Sequence, residues 1–181
     1  MEDDFMYLPA PLSVENELNL EEAMNAQQSN RQYETTTNQQ MDPKVEHYIS
    51  KQPSNRQSIM TNIHSIIVQE DRTIVPVVEL MMGKEMIVYK GKGIMKYGLA
   101  SVKNYMSLHV MPIYGSKTLF TKYKTLLPNA NFQKGCINFD AADKMPLDIV
   151  RELFINCSKI DLLKIREDYL KEKKLKGKAK S

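Results

Sequence analysis

Tryptophan is absent from this chain, cysteine occurs only 2 times, glycine 7 times, and aromatic residues make up 8%. Cys136 and Cys157 cannot build the bridged framework of a small secreted scaffold, so they read as buried thiols. So few glycines rule out a collagen-like repeat. No apolar run approaches the roughly 18–20 residues that a membrane helix needs. A basic leader is missing too. The chain starts Met1-Glu-Asp-Asp4, acidic where targeting peptides are basic, and the expected location is the cytoplasm. Gly-x-Ser-x-Gly, His-Glu-x-x-His and Walker patterns are all absent, so catalysis is not the expected role.

What is present is a 181-residue chain with 42% apolar and 26% charged residues, the balance of one globular domain plus a tail. Its net charge of +3 conceals a split. Residues 1–40 hold eight acids and one base, a balance of −7, which leaves +10 for the remainder. The polar run Asn25 to Gln40 has too little apolar surface to offset the entropy of ordering it, so a disordered acidic tail is expected over 1–40. A domain over 41–170 and a basic tail over 171–181 complete the division.

Asp42-Pro43 is a helix start, because the carboxylate accepts a first-turn amide and proline fits the first helical position. Val45, Tyr48 and Ile49 fall on one face of that helix. A second helix runs from Ser54 to about Gln69, with Ile59, Met60, Ile63, Ile66 and Ile67 at helical spacing. From Ile74 to Met111 the period becomes two. Strands are expected near Val77–Met82, Glu85–Tyr89, Ile94–Leu99 and Tyr105–Met111, with turns at Gly83-Lys84, Gly91-Lys92-Gly93 and Lys103-Asn104. Connections this short join antiparallel neighbours. A helix over Ser116–Leu127, a strand over Cys136–Phe139, a helix from Pro146 and a last one from about Asp161 follow. The order predicts an α+β fold, an antiparallel sheet covered on one face by helices.

Four segments carry a family resemblance. They are Val45-Glu-His-Tyr-Ile-Ser-Lys-Gln-Pro53, the Met82-Gly83 turn leading to Tyr89-Lys-Gly-Lys92, Lys103-Asn-Tyr-Met-Ser-Leu-His109, and Lys134-Gly-Cys-Ile-Asn-Phe139 followed by Pro146-Leu147. In this order they resemble the YdhG-like domain, a bacterial family of largely unassigned function. The resemblance implies a frataxin-like sandwich, and in some members an intracellular iron-chaperone role that depends on a carboxylate ridge. Here the first helical layer offers Asp42 and Glu46 and then no acid before Glu70 and Asp71. Iron therefore enters only as what the resemblance implies, since it needs several hard oxygen ligands close together.

His47, His64 and His109 lack metal-ligand spacing relative to one another and to the cysteines, so no metal site is assigned. Met81, Met82, Met86, Met95, Met106 and Met111 lie in apolar strands, where methionine fills irregular gaps. The residues expected to line a ligand site, on the sheet face without helices and in its turns, are Tyr89, Lys90, Lys92, Tyr97, Lys103, His109 and Lys134. Were the Lys134-Gly135 turn near Lys90 and Lys92, the three lysines would form one anion-attracting patch. A closed pocket with Glu79 or Glu85 beside His109 would favour an enzyme. The run Lys171-Glu-Lys-Lys-Leu-Lys-Gly-Lys-Ala-Lys180 supplies a further reading, contact with nucleic acid or another polyanion. The leading expectation is a cytosolic ligand-binding or chaperone-like module for a small ligand, a metal or a protein.

Overall fold

The computed structural model describes residues 41–81, 83–165, 167 and 171. The chain divides into Met1–Gln40 and Met41–Ser181. The expected tail over 1–40, and the basic run beyond exposed Lys171, lie outside the described residues.

Helix α1 spans Pro43–Ser50, and the Asp42 side chain accepts from the Lys44 amide at 2.8 Å as its cap. Helix α2, Ser54–Glu70, follows after Pro53. Four strands come next: β1 Ile74–Met81, β2 Lys84–Gly91, β3 Ile94–Ser101 and β4 Met106–Val110. Chain reversal then passes through a short helix, α3 (Met111–Tyr114), and α4 (Lys117–Leu126), which Ser116 caps by accepting from the Leu119 amide. Strands β5 (Asn131–Gln133) and β6 (Cys136–Phe139) form a hairpin, and α5 covers Leu147–Ser158. Residues 162–165 are again helical.

The fold is α+β. Its sheet has six strands in the order β1-β2-β3-β4-β6-β5, every pairing antiparallel. Buried residues from each of α1 to α5, among them Val45, Met60, Ile63, Ile113, Tyr123 and Phe154, join one cluster with Ile87, Leu99, Leu108, Val110 and Ile137 of the sheet. One sheet face therefore carries the main core. Met86, Val88 and Ala100 form a second cluster with Val77, Met81 and Met95, all strand residues. That second face is not bare, as the alternating pattern had suggested. Met86 and Val88 are only 3% and 0% exposed, because long flexible methionines lie across their neighbours. Among the described residues no helix is long and apolar enough to cross a membrane.

Candidate functional site

Alternation along β4 sends Leu108 and Val110 into the main core and leaves Ser107 and His109 on the other face. Register then extends that face sideways into two rows. Gly98, His109, Cys136 and Gln133 stand opposite one another across β3, β4, β6 and β5, as do Ala100, Ser107, Asn138 and Asn131. A groove of about 220 Å³ lies over these rows. Met81, Met86, Ala100 and Val102 form its apolar side, and Ser107, His109, Gln133, Cys136 and Asn138 its polar side. Lys84 is the one charged group among its described lining residues.

Two contacts organise the polar side. The Ser107 hydroxyl donates to the side-chain amide oxygen of Asn138, Oδ1, at 2.7 Å. His109 Nδ1 and Cys136 Sγ lie 3.1 Å apart. Burial pushes the His109 imidazole down from its ordinary value and the Cys136 thiol up. Both shifts disfavour charge, so near neutral pH the pair is an uncharged thiol beside an uncharged imidazole. Gly98 lets the face close up beside His109, because a Cβ there would come 2.6 Å from Met95 Cε and 3.5 Å from His109 Cδ2.

Of the seven expected lining residues, the groove gathers one, His109. Tyr89 and Tyr97 point into the helix-side core, not onto the free face. Tyr89 Oη is 3.0 Å from His64 Nδ1, and Tyr97 donates to Asp71 at 2.8 Å. The reason is register: Tyr97 pairs with Val110 and with Tyr89, so all three share the core side. Lys90 remains on the free face but pairs with Glu79 at 2.7 Å, on the edge strand away from His109. Lys92 occupies the β2–β3 turn and pairs with Asp161 at 2.7 Å. Lys103 is exposed in the β3–β4 turn, where its carbonyl accepts from the Arg56 guanidinium at 3.3 Å. Lys134 is exposed in the β5–β6 turn with φ 53°.

The Lys92 and Lys134 turns do lie at the same end of the sheet. Between their centres, however, stand three strand spacings, roughly 14 Å at about 4.8 Å each. Lys90 and Lys92 are moreover each engaged by a carboxylate, Glu79 and Asp161, so the expected three-lysine patch is not assembled. Neither Glu79 nor Glu85 is among the groove residues around His109, and the acid–base constellation that would favour an enzyme is not assembled there.

Sequence reasoning missed Cys136 as the partner of His109, because only the β4–β6 register brings them together. It also missed a buried polar cluster. Lys96 Nζ sits 2.8 Å from Asp71 Oδ2 and donates to the Ser158 carbonyl at 3.1 Å. Desolvation alone would raise the Asp71 carboxyl, but hydrogen bonds from Lys96, Thr73 and Tyr97 outweigh it and hold the group below its ordinary value. Lys96 and Thr73 also line a second cleft, about 200 Å³, between the β2–β3 turn and the end of α5. Since the Lys96 ammonium is already engaged there by Asp71 and Ser158, the cluster is structural. Among the described residues no group of three or more His, Cys, Asp or Glu side chains is placed to hold a metal. They do not fit the iron that the resemblance implies.

No protein-family model matches this chain, and neither a curated protein nor a solved structure matches it.

Proposed function

We propose that this chain is a small-ligand-binding module, of the kind its likeness to YdhG-like domains suggests, and that the ligand occupies the groove on the sheet face opposite the helices. The observation that carries the reading is the meeting, in one concavity, of a methionine-lined apolar floor with the Ser107, His109 and Asn138 polar row. Ligand sites combine apolar surface with a few placed polar groups in this way. The groove's volume of about 220 Å³ falls below the roughly 300–1,000 Å³ of drug-sized pockets, so the ligand is small or only partly enclosed. Lys84, unopposed by any carboxylate among the described lining residues, favours a ligand with negative charge.

The test is residue-resolved NMR on the isotope-labelled full chain, titrated with anilinonaphthalene sulfonate as an amphiphilic anionic probe. Shifts are expected at Ala100, Ser107, His109 and Asn138. Shifts clustered instead around Lys92, Ile160 and Asp161 would move the site to the cleft at the end of α5. An unresponsive groove together with a heparin response confined to Lys171–Lys180 would replace this reading with polyanion binding.

A further inference from the structure

The groove holds a nucleophile beside a base, an arrangement that reversible binding does not require. Cys136 Sγ and His109 Nδ1 are within hydrogen-bond reach at 3.1 Å, the relation by which an imidazole activates a thiol. Cys136 is half-buried, whereas Cys157 is fully buried and its thiol is pushed up to about 12 by burial. Only the first thiol is open to a reagent. The titratable groups among the described lining residues are Lys84, Tyr105, His109 and Cys136, so one cation and no carboxylate meet an incoming molecule. An anionic reactant is attracted and a cationic one is not.

We propose that Cys136 exchanges with small anionic disulfides, of which oxidised glutathione is representative, and carries the resulting mixed disulfide in the groove. The inference rests on the groove being the binding site. In the exchange, Cys136 Sγ attacks one sulfur of the incoming disulfide while His109 Nδ1 takes the thiol proton. A bond forms between Sγ and that sulfur, the incoming S–S bond breaks, and the departing thiolate takes the proton from His109. One disulfide and one thiol are consumed, and one of each is produced. Burial favours the free-base imidazole at neutral pH, ready to accept the proton. Burial also keeps the resting thiol protonated, so the attacking thiolate is generated only as His109 takes the proton.

Incubation of the full chain with oxidised glutathione, followed by peptide mapping by mass spectrometry, tests the proposal. One glutathione is expected on Cys136, none on Cys157, and release by a reducing agent. The wild-type rate should plateau around neutral pH, above the titration of His109. In His109→Gln the rate should fall about a hundredfold, the scale of general-base assistance, and should then climb with pH as the thiol ionises, without a plateau. An adduct on Cys157, an unmodified Cys136, or a His109→Gln variant with the wild-type rate and profile would each overturn the proposal. The sulfonate probe separates the two levels. If it shifts the groove resonances of the wild type while Cys136 stays unmodified, the exchange is wrong and the groove stands. If the probe leaves the groove unshifted and Cys136 stays unmodified, both fall; if Cys136 is modified as expected, the exchange stands and the groove binds such reagents without binding the probe.

Discussion

Burial sets the chemistry of individual side chains here, and His64 shows it most strongly. The imidazole is 4% exposed on α2, 3.0 Å from Tyr89 Oη, and burial pushes it down to about 4 although Asp42 pulls the other way. An unfolded imidazole takes its proton near 6.5. In the window between, the unfolded chain binds the extra proton and the folded chain refuses it. Stability from this group is thus complete above about pH 6.5 and is lost as the pH falls toward about 4, by about 3 kcal/mol in all. His64→Gln keeps an acceptor for Tyr89 and cannot ionise. Urea midpoints of the variant should therefore fall less steeply than those of the wild type below about pH 6.5, the remaining slope coming from His109, whose imidazole burial also lowers; parallel slopes in the two proteins would contradict this assignment. Residue identity alone gives no hint of the difference between His64, His47 and His109. It arises because α2 turns position 64 toward Tyr89, while His47 is exposed on α1.

Elements were legible in the sequence where periodicity ran unbroken and illegible where one residue disturbed it. The Asp42-Pro43 start, the isoleucine stripe of α2 and the strand at Cys136–Phe139 all form where the pattern placed them. Strand β5 was missed because Asn131-Phe-Gln133 is short, polar and at the sheet edge, which reads as loop. Met111 was read as strand, yet it opens α3, with Pro112 in the first helical turn. The β2–β3 ladder also slips between Tyr89 and Lys90, leaving Lys96 as the extra residue between Met95 and Tyr97. A strict period of two cannot survive such a bulge. This is why Lys96 swings to Asp71 on the helix side while Met95 lies across Gly98.

The turn that closes this hairpin is directly testable. Lys92 and Gly93 have φ of 51° and 81°, the signs that a two-residue hairpin turn matching strand twist requires. Lysine pays a steric penalty there that asparagine largely avoids, and a β-branched residue suffers most. Lys92→Asn and Lys92→Val both lose the exposed pair with Asp161, which is worth little. Their difference therefore isolates the backbone. The asparagine variant should be more stable than the valine variant by roughly 1–2 kcal/mol in urea unfolding, and equal stabilities would show that the turn relaxes without strain.

Across the whole molecule, the two faces of one sheet solve burial differently. On the helix side the core is interlocked: Phe154 meets Tyr97 edge-on at 4.9 Å, and Leu99 lies among residues from helices and strands alike. On the other side Met86, Val88 and Ala100 are flanked by Val77, Met81 and Met95 of the same sheet. Rigid surroundings cannot collapse into a new cavity, whereas methionines, with three rotatable bonds, can swing to refill one. Large-to-small substitutions at equally buried sites should therefore cost different amounts. Leu99→Ala is expected to lose about 4 kcal/mol and Met86→Ala about 2 kcal/mol, the upper part and the lower end of the usual range for such truncations. Both should shift a single transition with an unchanged denaturant slope, since each strand belongs to both faces at once. Equal losses would mean that the methionine side is as tightly interlocked as the helix side, and a groove floored by those methionines would then have little freedom to adapt to a ligand.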